Sequence, residues 1–408
     1  MKHAAIILSI VTNFFFYSNL AAAQNNNNNE DYWLKDTSGP YATGTVIYNW
    51  IDEQRDELST SIPDDKRHVT VQIWYPAEQV ENPNYATYAS TLELYAPYVV
   101  DWGAQFSERL TKSMLNVPVA IDNATYPIII YSPGGGAPVF TGTSQTEFLA
   151  SYGYVVVSVE HIDTSGRLLY SDGTEYNRDV IPERPSEEQL ADWSNLQLFQ
   201  WGAEQLQDRF TQHVRDISFA LDELEALNTN DESIFYQRLD TDQTGAIGWS
   251  SGGATDFQAT VDDSRIKAAI NLDGGVYGRS IVDRGSDKPL LLIESTFTRF
   301  NLLTSDEADP AREEIMSYQE SLHWKMFSFT TADWYRAKLL GSQHTHFSDL
   351  VMGFEPPDEN LLEYKTAHNI INELALEFFG KYINGNEEMP LLSRDKIYPE
   401  LRIITKAD

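Results

Sequence analysis

The sequence predicts an α/β protein with a mostly parallel central sheet covered by helices on both faces. From Tyr126 onward, short apolar runs alternate with segments of helical periodicity, which is typical of buried parallel strands joined by crossover helices. One run ends at Trp249 and is followed directly by a serine flanked by glycines and by small residues that can begin a helix. The chain has 408 residues, of which 42% are apolar, so it can bury a large core.

The N-terminal stretch is predicted to lie outside the folded domain. Residues 1–23 have a basic start, an apolar stretch and a small-residue end, which together predict a secretory signal peptide. Residues 24–40 include an asparagine run and predict a disordered polar lead-in. Residues 41–408 then form a single domain, and we expect the protein to be secreted or periplasmic.

The elements are predicted in chain order from periodicity and turn residues. Thr43–Ile51 and His68–Tyr75 are rich in β-branched and aromatic residues between turn signals, and predict a hairpin. Apolar runs predict further strands at Tyr126–Tyr131, Tyr154–Val159, Ala246–Ile247, Ile266–Leu272, Pro289–Ile293 and Trp334–Leu340. Apolar positions at helical spacing predict helices at Phe140–Tyr152, Ser186–Leu227 and Tyr364–Tyr382. Insertions are expected near 79–125, 165–185 and 297–333.

The last of these insertions, 297–333, contains many large apolar side chains. We hypothesise that it forms a lid, or a surface that contacts a lipid interface transiently. Ordinary packing into the core is the alternative.

Charge and cysteine content exclude several kinds of partner. Lys and Arg number 29 against 61 Asp and Glu, giving a formal net charge of −32. Such a surface repels nucleic acid, so no nucleic-acid partner is expected. The chain has no cysteine and therefore forms no disulfide. Asp240–Gly245 is weakly similar to a calcium loop but lacks the downstream glutamate, so we expect a turn there and neither a metal nor a cofactor.

The segment Gly248–Gly252 reads Gly-Trp-Ser-Ser-Gly, which matches the Gly-x-Ser-x-Gly motif of a nucleophile elbow. A sharp strand-to-helix turn crowds the backbone on both sides of the serine, and glycine avoids the clash. The helix that begins beside Ser250 directs unpaired N–H groups and the positive end of its dipole towards a developing negative charge. Ser250 is therefore the predicted nucleophile of an α/β-hydrolase fold.

A nucleophilic serine needs a base and an acid, which in this fold follow it in the order Ser, acid, His. His344 and His346 lie in a loop directly after a predicted strand, and their spacing leaves both open as the base. Asp273 and Glu294 each end a predicted strand, and both are open as the acid. Glu294 is at the commoner position across the fold, but the glycines after Asp273 free the backbone to turn its side chain inward, which favours Asp273.

The site also needs backbone donors for an oxyanion. One is expected from the residue after the nucleophile, Ser251. The second is expected from the glycine-rich loop, Ser132–Ala137, which follows the strand Tyr126–Tyr131 and contains three consecutive glycines. A phosphate-binding loop is the alternative, but this loop has no Lys-Ser/Thr ending and no basic surroundings.

Three stretches resemble the plasma and intracellular type II platelet-activating-factor acetylhydrolases, and especially their bacterial relatives. They are Ile73–Ala77, Tyr131–Ala137 and Val159–Ser165, of which the last, with its Val-Glu-His, is the most specific. The resemblance runs from about Val71 to about Gly385 and implies a serine-dependent phospholipase of the α/β-hydrolase superfamily.

The resemblance also implies a role for each site residue. It makes Ser250 the nucleophile and Asp273 the acid. It makes His344 the base, because residues 344–349 align with the family's His-x-x-Phe-x-Asp, and His346 is then only a neighbour.

For the oxyanion, the resemblance implies N–H groups from Gly135 and Ser251. Pro133 and Gly135 stand where family members often carry a histidine and a bulkier residue. We therefore expect an acyl pocket that differs from that of the family.

The residues predict a metal-independent serine ester hydrolase, and the resemblance implies short or oxidised acyl chains at the sn-2 position of a phospholipid. A broad short-chain carboxylesterase or polyester hydrolase is the alternative, because the same triad serves all of these substrates. A hydrolase fold used only for binding is a third possibility, and the loss of a triad residue would indicate it.

Overall fold

The structure is a computed structural model, and it describes residues 34, 37–88, 109–123, 125–162, 167–169, 175–177, 185–297, 310–351, 361–394 and 397–407. The predicted signal peptide, residues 1–23, lies outside these residues. Among the described residues, no helix is both long and apolar enough to cross a membrane.

One large sheet forms the centre of the molecule. The strands are β1 (Ala42–Asp56), β2 (Lys66–Ala77), β3 (Tyr85–Thr87), β4 (Leu110–Leu115), β5 (Tyr126–Ser132), β6 (Val155–Val159), β7 (Arg167–Leu169), β8 (Glu175–Asn177), β9 (Leu239–Trp249), β10 (Ile266–Leu272), β11 (Leu290–Phe297), β12 (Trp334–Gln343) and β13 (Leu401–Thr405). Eleven of them pair in the order β13-β12-β11-β10-β9-β5-β6-β2-β1-β4-β3, and β7 and β8 form a separate ribbon. The strands from β12 to β6 in this order are parallel to their neighbours. The pairs β12–β13, β6–β2 and β2–β1 are antiparallel. The predicted mostly parallel sheet is confirmed.

Helices cover both faces of this sheet. They are α1 (Thr143–Ser151), α2 (Glu187–Asp192), α3 (Asn195–Thr229), α4 (Ser251–Asp262), α5 (Arg279–Arg284), α6 (Pro310–Phe329) and α7 (Tyr364–Tyr382). Successive side chains of a strand point to opposite faces. Ile129 and Ile247 therefore pack with α1 and α7, whereas Ile128 and Ala246 pack with α3 to α6. The predicted two-sided helical cover is confirmed.

Two edges of the sheet contain strands that the sequence patterns missed. Part of the segment 79–125, predicted as an irregular insertion, forms β3 and β4, and β4 lies parallel to β1 with Ser113 opposite Thr43. At the other edge, β13 pairs with the last strand of the parallel set. Strands β4 and β13 are short and only partly buried, so neither shows the continuous apolar run that marks a central strand.

The predicted turn at Asp240–Gly245 is instead part of β9, which begins at Leu239. Its pairing with β5 shifts register between Pro127 and Ile128, so extra residues are accommodated in a bulge without ending the strand. This corrects the turn prediction.

The segment 297–333 contains α6, which crosses over between the parallel neighbours β11 and β12. Near the end of this helix, Met326 and Phe327 are buried, and the Phe327 ring stacks on Trp334 with 4.5 Å between the ring centroids. This part of the segment therefore packs into the core. Residues 298–309 lie outside the described residues, so a lid or interfacial role for them stays a hypothesis.

The end of the predicted lead-in, 24–40, packs on the domain. Leu34 is buried in the α1–α7 core, and the N–H of Gly39 donates to Ser151 Oγ at 3.2 Å. The expectation of a disordered stretch up to residue 40 is corrected there, because these residues close over the C-terminal end of α1.

Candidate active site

The strand-to-helix turn at Ser250 has the strained backbone of a nucleophile elbow. Strand β9 ends at Trp249 and α4 begins at Ser251. Between them, Ser250 has φ 58° and ψ −121°, a conformation that residues with a side chain rarely adopt. Its N–H donates to the carbonyl of Leu272 in the neighbouring β10 at 2.9 Å, which holds the turn against the sheet.

The glycines around the serine are required by close backbone contacts. A Cβ on Gly252 would lie 2.0 Å from the carbonyl oxygen of Ser132, and one on Gly248 would lie 2.5 Å from the Gly252 backbone. Each distance is too short for any side chain. The Gly-x-Ser-x-Gly pattern is therefore a steric requirement of this turn.

The structure brings His344 to the serine. It is the first residue after β12 and begins a short 3₁₀ helix, His344–Phe347. Its Nε2 lies 3.0 Å from Ser250 Oγ, and its Nδ1 lies 2.7 Å from Asp273 Oδ2. The indole N–H of Trp249 donates to the His344 carbonyl at 3.0 Å, so the residue before the serine also holds the segment 344–351, here called the histidine loop.

Asp273 completes the hydrogen-bonded chain from the end of β10. Its backbone is also in the left-handed region, with φ 56°, and its N–H donates to the Ile293 carbonyl at 2.8 Å. Its carboxylate accepts the N–H of Ser295 at 2.7 Å and the hydroxyl of Ser295 at 2.8 Å. Sequence reasoning missed Ser295, although its place beside Glu294 at the end of β11 is a signal that could have found it.

Glu294, the alternative acid, is not brought to His344. Its carboxylate accepts hydrogen bonds from Nε and Nη2 of Arg336, the second at 2.9 Å. Arg336 Nη2 also donates to Glu320 at 2.5 Å. Adjacent strand residues point to opposite faces, so Ser295 faces the site and Glu294 does not.

His346, the alternative base, is engaged elsewhere. Its Nδ1 accepts the N–H of Gln343 at 3.2 Å, and its Nε2 donates to the Leu362 carbonyl at 2.8 Å. Burial lowers the pKa of His346, which favours this neutral form. Both ring nitrogens thus fix the loop, and neither is directed at Ser250.

The glycine-rich loop packs directly on the elbow. A Cβ on Gly134 would lie 2.4 Å from the Trp249 ring, and the N–H of Ala137 closes a turn by donating to the Gly134 carbonyl at 2.9 Å. Gly135 lies within this turn. Ser251 is the first residue of α4, where backbone N–H groups have no carbonyl one turn earlier to accept them.

Among the described residues, one group could hold a metal ion: the donor atoms of Glu294, Glu320 and His323 lie within 4.8 Å of one another. The Arg336 guanidinium already bonds to both carboxylates. Its positive charge occupies the place that a divalent ion would need, so this group fits a salt-bridge network better than a metal site.

An elbow serine joined through a histidine to an aspartate, at the carboxyl edge of a mostly parallel sheet, defines a serine hydrolase of the α/β-hydrolase fold. The chain belongs to the family of platelet-activating factor acetylhydrolase, isoform II, whose model matches residues 27–356.

Individual proteins agree with this assignment. A probable 1-alkyl-2-acetylglycerophosphocholine esterase of Arthroderma benhamiae is 23% identical over 90% of this chain and 92% of its own. A platelet-activating factor acetylhydrolase of Cavia porcellus is 24% identical over 90% of this chain and 83% of its own. The solved structure of a ferulic acid esterase from Streptomyces cinnamoneus superposes with a TM-score of 0.66 and 22% identity, over 91% of this chain and 98% of that one, and shows the shared fold.

Proposed function

We propose that the protein hydrolyses carboxylic esters through an acyl-enzyme formed on Ser250. The observation that carries the proposal is the continuous hydrogen-bonded chain from Ser250 Oγ through His344 to Asp273, at 3.0 Å and 2.7 Å. In this arrangement the imidazole can accept the serine proton as the oxygen attacks, and the carboxylate holds the ring in the required tautomer.

Each proton has a place in the cycle. His344 Nε2 accepts the proton of Ser250 and then donates it to the leaving alcohol, leaving the acyl group on Oγ. Water then attacks the acyl-enzyme, with the same nitrogen as the base, and releases the acid and the free serine. In both steps the N–H groups of Ser251 and Gly135 are the proposed donors to the oxyanion.

For the substrate, we propose short or oxidised acyl chains at the sn-2 position of a phospholipid such as platelet-activating factor. The support is the family and the activities that name its relatives. The competing candidate is a broad short-chain carboxylesterase or polyester hydrolase, since Pro133 and Gly135 stand where the family often carries larger groups. A binding protein without activity is disfavoured, because the serine, the histidine and the aspartate are assembled.

The substrate proposal is tested with p-nitrophenyl esters of increasing chain length beside a phosphatidylcholine that has a short sn-2 chain. Turnover of the phospholipid, with preference for short chains, is the expected result. Turnover of the nitrophenyl esters alone would reject the phospholipid and retain the esterase. The His344→Ala variant should lose activity with both substrates, whereas His346→Ala should lose mainly stability.

We also propose export, on the basis of the leader-like residues 1–23. N-terminal sequencing of the protein recovered outside the cytoplasm should begin at Gln24. Recovery of the full-length chain inside the cell would reject export.

A further inference from the structure

The glycine-rich loop lies between two buried carboxyl groups, one from the helix that begins directly after Ser250 and one from the segment that follows His344. At its start, Ser132 Oγ donates to Asp256 Oδ1 at 2.7 Å. A few residues beyond its end, Ser144 near the start of α1 donates to Asp349 through both its hydroxyl and its N–H, the latter at 3.1 Å. Both carboxyl groups are fully buried.

Asp349 belongs to the histidine loop, five residues after the base in the sequence (349−344). Its carboxylate also accepts the hydroxyl of Tyr88 at 3.2 Å, so it bonds to several donors at once. Its position beside the first turn of α1 is favourable, because unpaired N–H groups and the positive end of the helix dipole meet there. The helix after the glycine-rich loop is thus tied to the loop that carries His344.

Asp256 belongs to α4, six residues after the nucleophile (256−250). Its Oδ1 accepts the hydrogen bond from the Ser132 hydroxyl, while its Oδ2 has no hydrogen-bond partner among the described residues. The same helix touches the loop at Gly252, where a Cβ would meet the Ser132 carbonyl. The strand before the glycine-rich loop is thus tied to the helix that carries the elbow.

We propose that Asp256 and Asp349 are positioning residues that hold the two ends of the glycine-rich loop at a fixed distance from Ser250 and His344. The inference rests on the proposed function, in which Gly135 in this loop supplies an oxyanion donor. Such donors act only within about 2.7–3.1 Å of the developing charge. A displacement of about 1 Å can cost roughly 100-fold in rate, so a loop rich in glycine needs fixed ends.

Burial suits both groups to this task. It raises the pKa of Asp349 to about 7 and that of Asp256 well above its usual range, although Ser144 and Ser132 respectively donate to them. A raised pKa favours the uncharged form, which bonds to the loop without adding a negative charge that would oppose the oxyanion.

The test compares kcat, KM and the number of active sites, counted from the burst of p-nitrophenol, in two sets of variants. The first set is Ser144→Ala, Asp349→Ala and the double variant, and the second is Ser132→Ala, Asp256→Ala and their double variant. Each aspartate-to-alanine change should lower kcat per titrated site about 10- to 100-fold with little change in KM. Each double variant should be no worse than its aspartate variant alone, because both substitutions break the same bond.

Conservative and matched variants separate positioning from general stability. Asp349→Asn and Asp256→Asn keep the shape and one acceptor oxygen, and should restore most of kcat. Glu147→Ala is the matched control, since Glu147 is also a buried acid on α1 but bonds to Ser113 and Lys112 in β4. It should lower the melting temperature and leave kcat per titrated site unchanged.

Wild-type kcat per titrated site in both aspartate-to-alanine variants would overturn the proposal, as would additive losses in the double variants. If an aspartate variant does not fold, Ser144→Ala and Ser132→Ala, which remove only a hydroxyl, still decide the question by the same loss of kcat. Failure of the proposed function is distinguishable, because it would appear as normal turnover in Ser250→Ala.

Discussion

Two residues of the hydrogen-bonded triad, Ser250 and Asp273, have backbone conformations in the left-handed region, with φ 58° and 56°. Such a conformation costs about 1–3 kcal/mol for a residue with a side chain, and it persists only when the surroundings enforce it. Here the enforcing contacts are the backbone bonds to Leu272 and Ile293. Both strained turns direct their side chains to His344, so the strain is concentrated where the chemistry is proposed.

At the scale of residues, the most specific prediction is that Asp273, and not Glu294, is the acid that orients His344. Asp273→Asn should lower kcat by about 10⁴-fold, because the amide holds the imidazole in the wrong tautomer. Glu294→Gln, the matched change at the alternative position, should leave kcat near the wild-type value and lower stability, because it weakens the pairing with Arg336. Steady-state kinetics and thermal unfolding measure both effects. An inactive Glu294→Gln beside an active Asp273→Asn would reverse the assignment.

Individual residues were predictable where chemistry restricted the choice. The elbow motif pointed to Ser250, but spacing left His344 and His346 equal, because both lie in one loop. The structure separates them by orientation, since His346 bonds to backbone at both ring nitrogens. Asp256 could not be predicted from the sequence, because a single acidic residue in a predicted helix is normally expected on the surface.

At the scale of elements, the elbow and the glycine-rich loop form one packed unit. Gly134 lies against Trp249, and Gly252 lies against the Ser132 carbonyl. The indole of Trp249 in turn bonds to the histidine loop at 3.0 Å. A displacement of any one of these segments is therefore transmitted to the others.

Gly252→Ala tests this contact. The added methyl group would lie 2.0 Å from the Ser132 carbonyl, so the helix and the loop must separate. We expect kcat to fall at least about 100-fold and stability to fall by roughly 1–3 kcal/mol. Gly380→Ala in α7 is the control, because the nearest atom to its new Cβ would be 3.3 Å away, at the end of the Asn386 side chain. Equal kcat in the two variants would contradict the tight contact.

Central elements were predictable because burial on both faces leaves long apolar runs, as at Tyr126–Ser132 and Ile266–Leu272. Strands at or next to the edges of the sheet were not predictable from the sequence. Strand β13 buries only one of its five residues fully, and β4 follows a stretch without a clear period. Their pairing depends on the sheet that is already present, which no local pattern reports.

On the scale of the whole molecule, the chain carries a formal net charge of −32, and one group of charges is paired deep inside the fold. Arg67, which is almost fully buried, bonds to Asp216 at 2.6 Å and to Glu57 at 2.8 Å. Burial alone would raise the pKa of Asp216, but Arg67 and His161 hold it below its usual range. This pairing stabilises the fold at neutral pH. Its contribution to the free energy of unfolding decreases progressively as the pH falls below about 4, the pKa of an aspartate in the unfolded chain.

The buried acids near α1 have the opposite dependence. Burial raises the pKa of Glu147 to about 7, although Ser113 donates to it. A raised folded-state pKa contributes stability that is present below the unfolded value of about 4.3 and is lost as the pH rises towards 7. Glu147→Gln removes this dependence. Urea unfolding should show the wild type losing stability relative to the variant by at most about 1.4 kcal/mol per pH unit between about pH 4 and 7. Parallel curves would contradict the raised pKa.

The measurement that tests the central claim most directly is the labelling of the enzyme with a fluorophosphonate, followed by peptide mass spectrometry. We predict one adduct per chain, on Ser250, with loss of all ester hydrolysis in proportion to labelling. Labelling should be absent in Ser250→Ala and strongly slowed in His344→Ala. An adduct on another residue, or full hydrolysis by Ser250→Ala, would contradict the acyl-enzyme mechanism.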